Sequence, residues 1–189
     1  MGRDITTALE PHEIARIRGG RRATVTVAVL ELHLRGAVGA GRAGTMQAAG
    51  PADGRIRAPL TRAVHASLYR PAGLRQLLDR QGVRTALAEL GRELTAAGLL
   101  RGFPPGRTRA ARRLMKELSD RHPLPARRSG LSAEDKLLLV AVHGDAALTA
   151  LAPRFAREAG LVGRGGTTER ELRQSWGGGG GGGFGCGTV

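Results

Sequence analysis

Residues 9–38, LEPHEIARIRGGRRATVTVAVLELHLRGAV, are the stretch whose reading decides the fold. Pro11 with His12 and Glu13 marks a helix start: a proline in the first turn sacrifices no hydrogen bond, and an early acid complements the helix dipole. Gly19 and Gly20 then interrupt the pattern. Beyond them, Arg21 to Leu34 places Ala23, Val27, Leu30 and Leu34 on one helical face. Val25, Val29 and Leu32 fall on other faces, so the element is expected to be deeply buried. Its β-branched run Val25-Thr26-Val27 leaves a strand open as the alternative. The reading is a short helix, a turn and a long helix, which puts the chain in the mainly α class.

Working outward, glycines multiply between Gly36 and Pro59. Two short extended runs, Ala43–Ala48 and Arg55–Ala58, flank Gly50-Pro51-Ala52-Asp53-Gly54, whose Asp-Gly step predicts one short β-hairpin with a longer loop. Helices followed by a hairpin give the outline of a winged-helix-like unit. Leu60–Tyr69 carries Leu60, Val64 and Leu68 at helical spacing and stops at Pro71, and Gly73–Arg80 makes a short second helix. Val83–Leu100 aligns Val83, Leu87, Leu90, Leu94 and Ala97 on one stripe, with Gly102 and Pro104 at its exit.

After a turn at Phe103–Gly106, Arg107–Asp120 presents Ala111, Leu114, Met115 and Leu118 on one face. Pro123–Gly130 reads as a loop, and Ser132 with Asp135 offers a helix cap. Leu137–His143 and Asp145–Leu161 form a final pair around Gly144, the second kinked or split by Pro153. The expectation is a compact helical domain over residues 1–162. It divides into helices plus hairpin (9–59), a three-helix unit (60–102) and C-terminal helices (106–162). Residues 163–189 are expected to be a disordered Gly-rich tail, because the unbroken glycines 177–183 have no side chain to bury and the most backbone entropy to lose.

The formal net charge is +14, which makes polyanions natural partners. That inference is tempered by composition. Lys116 and Lys136 are the sole lysines among 30 basic residues, and so strong an arginine bias accompanies Ala, Gly and Leu richness in GC-rich coding sequences. The arginines are also dispersed in pairs, such as Arg21-Arg22, Arg112-Arg113 and Arg127-Arg128, so nucleic acid is not the favoured partner. Aromatics make up only 3% of the chain, which leaves Leu, Ala and Val to fill the core.

One cysteine, Cys186, excludes a disulfide framework and a cysteine zinc site within the chain, and fits a cytoplasmic setting, free or peripheral to a membrane. Residues 1–10 carry no signal-peptide pattern, and the apolar runs Val25–Leu30 and Leu137–Val142 are far too short to span a bilayer.

Catalytic motifs are absent from the sequence. The glycine run lacks the strand, helix and lysine context of a phosphate loop. The histidines His12, His33, His65, His122 and His143 contain no i, i+4 pair; His33 and His65 read as satisfied core or rim residues, and no metal is assigned. Ser67 and Ser119 lack a nucleophile elbow, and Glu89, Glu93, Glu117 and Asp120 sit among arginines, where surface ion pairing accounts for them. No catalytic residue or cofactor is expected. Cys186, a lone thiol in the tail, is the one candidate for a reactive or modified residue, and its context is no prenylation box.

Leu9-Glu10-Pro11-His12-Glu13-Ile14-Ala15, then Gly19-Gly20-Arg21-Arg22-Ala23, then the apolar helix to Leu34-Arg35-Gly36, resembles the opening of an actinobacterial domain family of unassigned activity. Members of that family end in glycine- and cysteine-rich tails; this chain ends in a Gly-Cys tail with one cysteine instead of several. The resemblance implies a middle unit like Gly82–Leu100, usually followed by transmembrane helices and then an Arg-Thr-Arg-Ala segment. Here Arg107-Thr108-Arg109-Ala110 follows almost directly, so the chain looks like a soluble variant without the membrane anchor. A second, weaker likeness is to bacterial relatives of the Golgi phosphoprotein domain, a helical fold that binds lipid headgroups. It implies arginine contacts to anionic lipid, although that family's aromatic-plus-arginine site has no counterpart here, where the one Trp is Trp176. The expected function is that of a soluble, non-enzymatic interaction domain with a basic surface, meeting a protein partner or an anionic membrane; anionic-lipid binding and winged-helix DNA binding are the alternatives.

Overall fold

A computed structural model describes residues 9–42, 44–51, 56–125 and 130–162. The expected disordered tail, and Cys186 with it, lies outside the described residues. Helix α1 (Pro11–Leu34) begins behind Glu10, whose backbone N–H donates to Glu13 at 2.7 Å. Gly19 (φ −139°, ψ 17°) and Gly20 (φ 69°, ψ −155°) leave helical geometry, so α1 is two helical segments joined at a kink. The expected break is there.

The second segment is helical through its β-branched run. Thr24 and Thr26 donate their hydroxyls to the carbonyls of Gly20 and Arg22 at 2.8 and 3.0 Å, which satisfies them inside the buried helix. Every residue from Val25 to Leu30 is buried, so apolar burial on all sides outweighs the weak strand preference of three residues.

This helix is the hub of the core. Helices α2 (Pro59–Ser67), α3 (Leu74–Asp79), α4 (Gln81–Ala96), α5 (Arg109–Arg121) and α6 (Ala133–His143) all pack on it, α6 most extensively. The buried side chains form one continuous cluster from Ile14 to Leu161, so the three parts anticipated along the chain share a core. Among the described residues, no helix is long and apolar enough to cross a membrane.

The chain is mainly helical with a short antiparallel hairpin, as expected, but of the two expected runs only the first supplies a strand, and its partner lies before it instead of after it. Strand β1 (Val38–Ala40) pairs with β2 (Met46–Ala48), register Val38 to Ala48 and Ala40 to Met46. The expected partner, Arg55–Ala58, is no strand where described: Ile56 is buried in the core and Ala58 precedes Pro59 at the head of α2. Closure falls earlier because the segment after Ala40 supplies a tight turn. Gly41 N–H donates to Thr45 O at 3.0 Å, Thr45 N–H to Arg42 O at 2.8 Å, and Gly44 adopts φ +80°. Met46 then exchanges two 2.9 Å backbone hydrogen bonds with Ala72, tying the hairpin to the α2–α3 connection.

A second pair of strands was not anticipated: β3 (Leu100–Arg101) and β4 (Gly106–Arg107) turn the stretch Phe103–Gly106 into a hairpin tip. Beyond α6, Gly144 (φ +66°) joins it to α7 (Asp145–Leu151), and Pro153 separates α7 from α8 (Pro153–Glu158). Phe155 of α8 stacks on His33 of α1 with ring centroids 3.6 Å apart.

The cap at Ser132 is present in full. Ser132 Oγ accepts from Asp135 N–H at 3.0 Å, while Asp135 Oδ2 accepts from Ser132 N–H at 3.1 Å and from its hydroxyl at 2.7 Å. These hydrogen bonds hold the Asp135 carboxyl below its usual pKa. A depressed carboxyl contributes stability that is complete above its unfolded pKa and disappears as pH falls through the folded value. Ser132→Ala should therefore lower stability near neutral pH, where the Asp135 carboxyl is ionised and the cap is intact. The difference from wild type should shrink in acid below about pH 4, as read by urea unfolding across pH.

Candidate anion-binding cleft

The kink in α1 lies in one wall of a cleft of about 950 Å³. Arg16, Arg18, Gly19 and Gly20 form that wall, Gly91, Arg92 and Thr95 of α4 the facing one, and Arg101, Gly106 and Arg107 of the β3–β4 hairpin the end. Among the described residues, five arginines line it and no Asp or Glu does. A smaller hollow of about 430 Å³ shares Arg16 and adds Arg21 and Arg84. Local sequence contributes to these walls: Gly19 and Gly20 at the kink line the cleft, and Gly91 leaves room for the Arg16 guanidinium against α4.

The arginines have different duties. Arg18 donates from Nε to the carbonyl of Ala141 near the end of α6 at 2.8 Å, and its guanidinium covers Gly144, where a Cβ would collide with it. It is a helix cap that also faces the cleft. Arg21 reaches the Leu78 carbonyl at 3.2 Å. Arg92 meets Glu89 at 3.9 Å, with both side chains exposed, a pairing that contributes little.

Arg16 differs from all of these. Its Nε is buried with no hydrogen-bond partner. Burial, reinforced by the charge of Arg21, lowers its pKa from the usual arginine value. The side chain lies against α4, where a Cβ on Gly91 would stand 3.3 Å from one Nη. Arg16 is only half-buried, but partial desolvation and the neighbouring charge of Arg21 both disfavour its charged form, and a bound anion would offset both.

The other sites read from the sequence fall elsewhere. His33 places Nδ1 3.1 Å from Val38 O, and His65 places Nε2 2.9 Å from Gly50 O, so each is engaged by a backbone carbonyl as anticipated. His143 Nε2 lies 2.6 Å from His122 O. Ser67 donates to Ala63 O at 2.7 Å. Asp120 pairs with Lys116 at 2.7 Å, and Glu117 pairs with Arg121, all on the exposed face of α5. Among the described residues, no group of three His, Cys, Asp or Glu side chains is placed to hold a metal ion.

A second cleft of about 1010 Å³ mixes Glu10, Glu31, Glu134 and Asp135 with Arg35 and Arg57. Acids and arginines are mixed on its lining, and half of the named charges are engaged internally. Glu31 accepts from the Thr61 hydroxyl at 2.8 Å and faces Arg35 at 3.4 Å, and Asp135 is occupied by its cap. The arginine cleft is therefore the stronger candidate.

The sequence reading did not anticipate this convergence, since the arginines looked dispersed. One local signal was present: Arg18-Gly19, Gly91-Arg92, Arg101-Gly102 and Gly106-Arg107 each set an arginine beside a glycine, where the backbone bends or a neighbour approaches closely. No family model, curated protein or solved structure matches the chain.

Proposed function

We propose that this chain is a soluble, non-enzymatic interaction domain that binds a multiply charged anionic partner in the cleft around Arg16. The observation that carries the reading is the buried, unpartnered Nε of Arg16 in a cleft whose lining, among the described residues, holds five arginines and no acid. Among the described residues the lining holds no histidine, cysteine or serine, and the Thr95 hydroxyl donates to Gly91 O at 2.8 Å, which favours binding over catalysis. Membership of the actinobacterial family belongs to the same proposal. The opening motif that carries that resemblance contains Gly19-Gly20, and in this chain the pair forms the kink that lines the cleft.

Tripolyphosphate is the simplest probe. At a hundred times its Kd it should stabilise the fold by about 2.7 kcal/mol. For a domain of this size that raises Tm by about 5–10 °C. Arg16→Gln, which keeps a polar group but removes the charge and the fork geometry, should weaken tripolyphosphate binding by at least about tenfold, the loss of one charge-assisted hydrogen bond. No stabilisation beyond that of sodium chloride at equal ionic strength would refute the proposal.

A further inference from the structure

We infer that the β3–β4 hairpin is a membrane-contacting tip and that the anionic partner is a bilayer surface, an inference that rests on the proposed function. Phe103 is 93% exposed at the apex of this hairpin, whereas Phe155 is only 5% exposed. It sits between Gly102 and the Pro104-Pro105 pair, on a rigid and narrow projection. Arg101 and Arg107 flank the tip, both exposed, and both line the arginine cleft.

An isolated apolar ring beyond a ring of guanidinium groups matches a lipid interface in depth. The ring enters the acyl boundary while the cations remain among the phosphates. One residue is too small a patch to hold a protein partner by itself, whereas a bilayer offers phosphates to Arg101 and Arg107 and an apolar layer to the ring at the same time. Duplex DNA fits less well. In the order α2, α3, α4, β3, β4 a groove-reading unit would present α4, whose exposed face carries Glu89 and Glu93 beside Arg84 and Arg92 and would set carboxylates against phosphates.

The experiment is co-sedimentation of the full chain with phosphatidylcholine vesicles, with and without phosphatidylserine, run beside tripolyphosphate titration and a single-stranded oligonucleotide. Wild type should bind the phosphatidylserine vesicles at least about tenfold more tightly than the neutral ones, and lose that binding as salt rises. Phe103→Ser, at an exposed position outside the core, should weaken vesicle binding about tenfold and leave tripolyphosphate binding as in wild type. Arg16→Gln should weaken both. In a Trp176→Phe background, Phe103→Trp should shift its emission to the blue on the anionic vesicles.

Tripolyphosphate binding without vesicle binding would overturn the membrane tip and leave the cleft standing. Equal vesicle binding by Phe103→Ser and wild type would overturn the tip as well. Oligonucleotide binding that depends on Phe103, with no vesicle binding, would assign the tip to base stacking instead. Loss of both tripolyphosphate and vesicle binding in wild type would remove the proposed function itself.

Discussion

Replacing Phe155 by alanine should destabilise the fold by about 3 kcal/mol, the low end of the range for truncating a buried aromatic. Phe155 is the one buried aromatic ring among the described Phe, Tyr and Trp residues, at 5% exposure. It lies parallel to His33, with an interplanar angle of 2°, and so clamps α8 onto α1. The clamp also serves the β1–β2 hairpin, because the Glu158 carbonyl at the end of α8 accepts from Gly44 N–H at 2.9 Å. Removing the ring leaves a hole at the α1–α8 contact and loosens the hairpin with it. The low end applies because α8 has six residues and few neighbours, so it relaxes into part of the space. Thermal unfolding followed by circular dichroism should show Tm lower by about 6–12 °C. A drop under about 2 °C would mean that α8 is not clamped as described.

Gly20→Val should be the next most damaging change, and the one that joins fold to site. At φ 69° and ψ −155°, Gly20 occupies a region nearly closed to residues with a Cβ, and valine's branching makes it worse. The strain should cost about 1–3 kcal/mol. Relief requires α1 to rotate at the kink, which moves Arg16 and Arg18 relative to α4. Tripolyphosphate binding should therefore weaken together with stability, whereas Phe155→Ala, remote from the cleft, should lower stability and keep the affinity. Measuring both variants by thermal unfolding and by titration separates a positional effect on the cleft from general loosening. Affinity reduced equally by the two variants would dissociate the kink from the site.

The elements legible from sequence were those with a local cause. The break at Gly19-Gly20, the split at Pro153 and the cap at Ser132 each arise from one or two residues whose backbone chemistry admits few conformations. The β-branched run at 25–27 was open between helix and strand because propensity there is weak; tertiary burial and the hydroxyl bonds of Thr24 and Thr26 decided it. The hairpin was misplaced because two glycine-rich turns competed, and the choice rested on tertiary events: Ile56 entering the core and Met46 pairing with Ala72. The cleft was the least legible feature. It unites arginines from α1, α4 and the β3–β4 hairpin, and only the packing of α4 against both α1 and β3 brings them together. The net charge of +14 pointed toward anions without saying where; the geometry gathers five of the arginines around one cleft.

The most direct measurement is isothermal titration of tripolyphosphate into the wild-type chain and Arg16→Gln at two salt concentrations. The account predicts a saturable wild-type site whose affinity falls as salt rises, weakened at least about tenfold in Arg16→Gln. Wild-type binding that does not saturate, or that is unchanged in Arg16→Gln, would contradict it: the arginines would then act only as dispersed surface charge.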